Sequence, residues 1–213
     1  MLRSLLPALA ALTATPALAG YVIDHGTWST LSTRYGVAGD PGVFERAFDC
    51  EDAYDQGVIR SWYLRERNEA DFRSSYHFCR EMETDGTLAA GYTKQTHFNH
   101  TGSYTQGDSS IPLDMLPVGV RLKWNNATWP VTYDKLVDVN VIYNDAASII
   151  ALDSGWSGAG YALGRAGSTT TLECPLGRVM TGLRVLEKTT GTGGSNQSEI
   201  VGVRIVCTDL DPL

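Results

Sequence analysis

The chain has 213 residues, 22 of them glycine, and 24 acidic residues against 17 Lys and Arg give a formal net charge of −7. No run of Lys and Arg is longer than two residues. Proteins bind a phosphate backbone through clustered cations, so this composition excludes a nucleic-acid-binding function. The length is enough for one substantial hydrophobic core or for two small lobes.

Residues 1–19 have the pattern of a secretion signal. Arg3 precedes the apolar stretch Leu5–Ala14, and Ala17-Leu18-Ala19 places small residues at the positions that specify cleavage. The stretch is too short to cross about 30 Å of hydrocarbon. We therefore expect cleavage before Gly20, loss of the Arg3 charge, and a soluble, secreted protein with no membrane span, or a periplasmic one in a Gram-negative host.

The first half of the mature chain predicts three strands, at Val43–Cys50, Gly57–Tyr63 and Ser74–Arg80. The charged segment Arg65–Asp71 between the last two lacks an apolar stripe that could dock a helix, so we assign it to a loop. The polar segment Thr84–Ser110 is either a long surface loop or a boundary between two lobes, 20–90 and 105–213.

The second half contains further apolar or alternating runs at Val118–Trp124, Leu136–Tyr143 and Ala147–Leu152, which we predict to be strands. Arg178–Leu186 and Ile200–Cys207 alternate with the period of two typical of half-buried strands. The glycine- and threonine-rich segment Lys188–Ser198 between them predicts an exposed loop. No amphipathic helix stands out, so the fold class is all-β, with antiparallel sheets in a sandwich, prism or barrel-like arrangement.

Four cysteines in an oxidising compartment are expected to pair, and we favour Cys50 with Cys79 and Cys174 with Cys207 among the three possible connectivities. Each bridge would close a loop of about 30 residues and stabilise by about 3–4 kcal/mol in the chain-entropy model. The cysteines lie far apart and form no Cys-x-x-Cys pair, so we expect no zinc site. Residues 20–213 then form one β domain, or two lobes, with two disulfide-closed β units.

The cysteine segments also resemble a known family. Leu172–Met180 resembles the opening half, and Asp71–Arg80 the closing half, of the repeat in dermatopontin-type extracellular proteins. Ile200–Cys207 is similar to the vitelline membrane outer layer proteins, which are β-prism folds of egg coats. The first unit departs from the repeat by lacking Pro-x-Gly after Cys50. The resemblance implies an extracellular matrix or coat protein, in some members with lectin-like saccharide binding, and no cofactor.

Two short repeats place arginines on the outer face of the C-terminal strands. In Gly182-Leu183-Arg184 and Gly202-Val203-Arg204, the Gly and the Arg are two residues apart and so share a face. If the strands pair, Arg184 and Arg204 could bind a carboxylate or sulfate. The alternative is that they pair with Glu173 or Glu187. Arg60 is the counterpart in the first unit.

Tryptophans are the other candidates for ligand contact, because a flat ring covers the apolar face of a sugar. Trp124, Trp129 and Trp156 lie in polar, turn-rich surroundings, and we select them for ligand binding, with burial in the core as the alternative. Trp62 lies on a predicted strand and is expected in the core.

The remaining motifs do not point to chemistry. His97 and His100 lie in a predicted loop without a third metal ligand, and the acidic cluster around Cys50 has no EF-hand spacing. No Gly-x-Ser-x-Gly elbow is present, so we predict no catalytic residue, metal or cofactor and leave enzymatic activity open. Acceptor sequences for N-glycosylation begin at Asn99, Asn126 and Asn196, and they matter only in a eukaryotic host.

These observations predict a secreted recognition or matrix module that binds carbohydrate, with extracellular glycans or matrix proteins as partners. The oligomeric state is open. Two alternatives belong to other classes. One is a secreted hydrolase acting on polysaccharide, and the other is a structural coat protein without a small ligand.

Overall fold

The computed structural model describes residues 20–33, 43–68, 71–99, 105–125, 135–190 and 197–213. Five of the sequence-based predictions lie outside these ranges: the secretion signal at 1–19, Trp129, His100, and the acceptor sequences at Asn126 and Asn196.

Strands dominate the described residues, which confirms the all-β prediction. The only α-helix among them has five residues. The elements are β1 (Tyr21–Thr33), β2 (Val43–Asp49), a 3₁₀ turn (Cys50–Asp52), β3 (Gly57–Asn68), β4 (Asp71–Glu81), β5 (Thr93–Asn99), β6 (Thr105–Ser110), β7 (Leu116–Asn125), β8 (Lys135–Asn144), α1 (Ala146–Ile150), β9 (Ser157–Gly158), β10 (Ser168–Glu173), β11 (Arg178–Thr190) and β12 (Gln197–Pro212).

The strands form two antiparallel sheets over one apolar core. The large sheet has the order β2-β11-β12-β4-β3-β6, with β1 added to β12 and β5 added to β4, and the small sheet has the order β10-β7-β8-β9. Strands from residues 20–90 and from residues 105–213 alternate within the large sheet, so these two ranges do not form separate sheets. Within the part of the chain that the structure describes, no helix is long and apolar enough to span a membrane.

Both disulfides are those predicted. Cys50 is bonded to Cys79, and Cys174 is bonded to Cys207. Each bridge encloses a long antiparallel hairpin, β3–β4 in the first case and β11–β12 in the second. The second bridge also joins the two sheets, because Cys174 follows β10 of the small sheet and Cys207 lies on β12 of the large one.

Two predicted loops contain strands instead. The segment Arg65–Asp71 continues β3 as far as Asn68 and begins β4 at Asp71, so the hairpin is longer than the charge pattern indicated. The segment Thr84–Ser110 contains β5 and β6, which flank the β3–β4 hairpin. The strands β5 and β6 are short, and most of their residues are polar. Their sequence pattern therefore resembles that of a loop.

The predicted strand at Ala147–Leu152 is wrong, since α1 occupies Ala146–Ile150. Asp145 caps this helix, with its carboxylate accepting hydrogen bonds from the backbone N–H and the hydroxyl of Ser148, both at 2.8 Å. This cap sets the helical start, and an apolar run this short does not distinguish helix from strand. Both ends of the predicted loop at Lys188–Ser198 lie in strands, because β11 extends to Thr190 and β12 begins at Gln197, and residues 191–196 lie outside the described ranges.

Candidate functional site

The two disulfide-closed hairpins share a local register. In the first, Cys79 lies opposite Ile59, and the next residue, Arg60, is the extra residue of a β-bulge. A bulge of this kind bends the strand and redirects the neighbouring side chains.

The second hairpin repeats this arrangement. Cys207 lies opposite Met180, and the next residue, Thr181, is again the extra residue of a bulge. In this structural repeat, Ile59 corresponds to Met180 and Arg60 to Thr181.

Each bulge borders an open pocket on the outer face of the large sheet. The arginine pocket of the first hairpin has a volume of about 220 Å³, and it is lined by Arg60, Phe78, Arg80 and Tyr92. The tryptophan pocket of the second hairpin has a volume of about 210 Å³, and it is lined by His25, Trp28, Asp49, Glu51, Thr181, Arg184, Val206 and Thr208.

The two pockets occupy equivalent places. Each contains the bulge residue of its hairpin and the two residues that flank its second cysteine, which are Phe78 and Arg80 in one pocket and Val206 and Thr208 in the other.

Each pocket also has an exposed aromatic side chain. Trp28 of the tryptophan pocket lies on β1, the strand that pairs with β12, and Tyr92 of the arginine pocket lies just before β5, the strand that pairs with β4. Trp28 pairs with Thr208 and is 64% exposed. Tyr92 precedes Thr93, the partner of Cys79 in the sheet, and is 59% exposed. The two pockets therefore have the same arrangement of bulge, disulfide-flanking residues and exposed aromatic ring, but different polar groups.

A missing side chain deepens the tryptophan pocket. Gly182 on β11 lies between Asp49 of β2 and Val206 of β12 in the same cross-strand row. A Cβ at this position would overlap the carboxylate oxygen Oδ1 of Asp49 and stand 3.0 Å from the Cβ of Val206. The glycine thus leaves a depression in the sheet, which the Asp49 carboxylate partly fills.

The two carboxylate oxygens of Asp49 have different surroundings. Its Oδ2 accepts from Nη2 of Arg184 at 3.0 Å, whereas its Oδ1 is buried without a hydrogen-bond partner. Burial raises the pKa of this carboxyl above its ordinary value, against the lowering effect of Arg184, and the charges of Asp52 and Glu51 raise it further. Because Oδ1 is enclosed and the side chain is one-third exposed, a ligand hydroxyl in the pocket would donate to Oδ2, beside Arg184.

Other polar groups complete the wall of the pocket. Nε2 of His25 donates to the carbonyl of Asp55 at 2.6 Å, and its Nδ1 lies 3.4 Å from Oε2 of Glu51. The hydroxyls of Thr181 and Thr208 form a hydrogen bond of 2.7 Å with each other. The pocket therefore combines an exposed indole with carboxylates, a guanidinium, an imidazole and hydroxyls.

The predicted arginine pair is adjacent in the structure. Arg184 and Arg204 are direct partners in the β11–β12 register. Arg184 lines the tryptophan pocket and is paired with Asp49. Arg204 pairs with Glu45 at 3.3 Å.

The acids expected to pair with these arginines have other partners. Glu187 pairs with Arg46 at 3.3 Å, and Glu173 accepts a hydrogen bond from Trp156. The reason is the position of β2, which places Asp49 and Glu45 beside the arginine face.

The predicted tryptophans do not gather at one site. Trp124 is 1% exposed and belongs to the core, so its prediction as a ligand contact is corrected. The polar residues around it in the sequence suggested an exposed position, but its side chain points from β7 into the core. Trp156 is half-buried beside the small sheet, with Nε1 donating to Glu173 Oε2 at 3.1 Å and the Arg121 guanidinium 5.7 Å from its ring centre. Trp62 lies in the core, as expected.

His97 belongs to an internal hydrogen-bond chain. It lies on β5, where the sequence indicated a loop, and its Nε2 is 2.9 Å from Nδ1 of His77. Its Nδ1 is 2.8 Å from the hydroxyl of Ser75, which also accepts from Nε1 of Trp62 at 2.9 Å. Phe48 stacks on the His97 ring. These groups are enclosed, so they organise the core and do not face a ligand.

One group of potential metal ligands occurs among the described residues. The sulfurs of Cys50 and Cys79 lie close to a ring nitrogen of His77. Those sulfurs are bonded to each other, so neither offers a thiolate to a metal ion. Asn99, the acceptor of the first glycosylation sequence, is exposed, and its Oδ1 accepts a hydrogen bond from the hydroxyl of Ser74 at 2.6 Å.

No family model matches the chain, and no curated protein does. Among solved structures, the chain is similar to a prostate-specific WGA16 glycoprotein lectin, with 8% identity over 82% of this chain and 97% of that one and a TM-score of 0.47. It is similar to frutapin, a lectin from Artocarpus incisa, with 12% identity over 84% and 96% and a TM-score of 0.47. It is also similar to the mosquito-larvicidal Cry4Aa toxin from Bacillus thuringiensis, with 6% identity over 83% and 33% and a TM-score of 0.47.

Proposed function

We propose that this protein is an exported carbohydrate-binding protein and that the tryptophan pocket holds one sugar residue of its ligand. The observation that carries the proposal is the exposed ring of Trp28 beside the Asp49–Arg184 pair, at a depression left by Gly182.

The pocket supplies the two kinds of contact that a sugar needs. The indole of Trp28 offers a flat apolar surface for the C–H face of a pyranose ring. Sugar hydroxyls can donate to the carboxylate of Asp49 and accept from the guanidinium of Arg184, and hydrogen bonds to charged groups are the stronger ones. Together these contacts would orient a sugar ring over the depression.

We also propose that the protein is exported and that it is related to extracellular matrix or coat proteins. The secretion signal at residues 1–19 supports an extracellular or periplasmic location, which suits the two disulfides. The resemblance of the cysteine segments to dermatopontin-type proteins supports a role in an extracellular matrix or coat. N-terminal sequencing of the protein recovered from the medium or periplasm should begin at Gly20, and a retained Met1 would contradict export by cleavage.

The binding proposal can be tested with a glycan array followed by titration of the best neutral glycan. We expect Trp28→Ala and Asp49→Asn each to weaken binding by tenfold or more, since each removes about 1.5 kcal/mol or more of contact. Phe44→Ala is the matched control, because Phe44 is a 54% exposed aromatic residue on β2 that does not line the pocket. Absence of binding to every glycan, or equal losses in Trp28→Ala and Phe44→Ala, would overturn the proposal.

One observation favours polysaccharide hydrolysis as a second candidate. The Asp49 carboxyl, with its raised pKa, shares the pocket with the carboxyl of Glu51. Glycosidases use a pair of carboxyls in different environments, one as the acid and the other as the base or nucleophile. Release of reducing sugar from polysaccharides that disappears in Asp49→Asn would support this function, and binding without release would support recognition alone.

A further inference from the structure

The arginine pocket brings two guanidinium groups together, and no carboxylate lies within ion-pair distance of either among the described residues. Among the described residues, neither Arg60 nor Arg80 forms an ion pair. The Nε atoms of both are buried and have no hydrogen-bond partner. Nη1 of Arg80 donates to the carbonyls of Ala89 and Ala90, at 2.5 and 2.7 Å, which fixes this guanidinium in place.

The two cations disfavour each other. Burial lowers the pKa of Arg60, and the charge of Arg80 lowers it further, with Asp108 acting in the opposite direction. The carboxylate of Asp108 is itself engaged by the hydroxyl of Ser110. An anion between the guanidinium groups would supply the negative charge that no ion pair gives them.

More cations and aromatic rings extend from this pocket along the same sheet face. Lys94 lies opposite Phe78 in the β4–β5 register, and its Nζ is 3.8 Å from the ring centre of Tyr76. Tyr63 stacks on Tyr76 with ring centres 4.5 Å apart. The chain has a net negative charge, but Arg60, Arg80 and Lys94 concentrate positive charge on this part of the sheet face.

The exposed ring of Tyr92 completes the pocket. The Arg80 guanidinium lies 5.7 Å from the Tyr92 ring centre, and Phe78 meets the same ring edge to face at 4.9 Å. This places a stacking surface next to the cations, as Trp28 stands next to Arg184 in the equivalent pocket.

From this geometry we propose that the arginine pocket binds the anionic group of an acidic saccharide, a sulfate ester or a uronate carboxylate, between Arg60 and Arg80, with the sugar ring against Tyr92. The saccharide part rests on the proposed function, whereas the anion part rests on the two arginines alone. The protein would then have two sugar sites, one for neutral residues and one for acidic residues.

The test compares three oligosaccharides of equal length: sulfated dextran, oligogalacturonate and neutral dextran. We expect at least one acidic oligosaccharide to bind more than tenfold tighter than neutral dextran, with weaker binding as salt is raised. Binding of the sulfated chain alone would assign the site to sulfate, and binding of the oligogalacturonate alone would assign it to carboxylate.

Variants locate the binding. Arg60→Gln should weaken binding of the acidic chain about tenfold, as expected for the loss of a charge-assisted contact. Arg60→Lys, which keeps the charge but not the guanidinium fork, should lose less. Arg121→Gln is the matched control. Arg121 lies on β7 of the small sheet, away from the arginine pocket, and its guanidinium also lies over an aromatic ring, that of Trp156. The thermal midpoint of each variant checks its folding.

Equal affinity for acidic and neutral chains would overturn the proposal, as would equal losses in Arg60→Gln and Arg121→Gln. Trp28→Ala separates the two sites. If acidic chains still bind through Arg60 while no glycan depends on Trp28, the tryptophan pocket fails and the anion site stands. If neutral glycans depend on Trp28 and acidic chains do not depend on Arg60, only the anion site fails.

Discussion

Gly182 and Asp49 lie opposite each other in the β2–β11 pairing, and the Asp49 carboxylate takes the space of the absent Cβ of residue 182. The position of this carboxylate in the tryptophan pocket therefore depends on a residue far from it in the sequence. This relationship gives a direct test of how the pocket is built.

We expect Gly182→Ala to displace the Asp49 carboxylate, weaken glycan binding and destabilise the fold by about 1–3 kcal/mol, the usual cost of an overpacked site. Urea unfolding and glycan titration measure the two effects. Gly91→Ala is the control, because a Cβ at Gly91 would meet nothing within 4 Å. Equal free energies of unfolding for the two variants would contradict the proposed crowding.

The tryptophans should divide into core and surface residues. Trp124→Ala is expected to lower the free energy of unfolding by about 3–5 kcal/mol, because it empties a buried site. Trp28→Ala removes an exposed side chain and should change that free energy by no more than about 0.5 kcal/mol. Urea denaturation of the two variants separates them, and a large loss in Trp28→Ala would show that its ring supports the fold.

The buried histidines predict acid sensitivity. Burial lowers the pKa of His77 from 6.5 to about 3, and burial together with His77 lowers the pKa of His97 well below its ordinary value. In the unfolded chain both return to about 6.5 and bind protons that the folded state does not. Their stabilising effect is thus complete above pH 6.5 and is lost as the pH falls towards 3, by about 1.4 kcal/mol per pH unit for each histidine.

The measurement is the free energy of unfolding at several pH values between 4 and 7. His77→Gln should reduce the slope by about 1.4 kcal/mol per pH unit. Thr96→Ser, an exposed change on β5, should leave the slope as it is. An unchanged slope in His77→Gln would show that its protonation is not linked to unfolding.

The disulfides should contribute separately to stability. Replacing Cys174 and Cys207 with alanine is expected to cost about 2–5 kcal/mol and to loosen the attachment of the small sheet to the large one. Replacing Cys50 and Cys79 should cost a similar amount within the large sheet. Peptide mapping without reduction should recover the two bridges, and a link between Cys50 and Cys207 would contradict the structure.

The hairpins and their bridges could be predicted because their signals are local. Alternation along Arg178–Leu186 and Ile200–Cys207 shows which side chains share a face, so Arg184 and Arg204 could be assigned to one face if the strands pair, and the structure shows that they do. Burial of Trp124 could not be predicted in this way, because polar neighbours in the sequence do not determine which way a side chain points.

The tryptophan pocket could not be predicted from the sequence without knowing which strands are neighbours. Its walls come from β1, β2, the 3₁₀ turn, β11 and β12, and periodicity within a strand does not identify the strand beside it. Trp28 was missed for a local reason as well. The register of β1 shifts between Asp24 and Trp28, which interrupts the alternation that marks a strand.

The shared plan of the two pockets makes them interchangeable parts of one scaffold. The bridges and bulges hold the backbone, while Phe78 and Arg80 in one hairpin and Val206 and Thr208 in the other supply part of the difference in polarity. Exchanging these flanking residues, together with Arg60 and Thr181, should move the two-arginine anion site from one hairpin to the other. A protein built in this way can acquire a new specificity through a few substitutions while its fold stays the same.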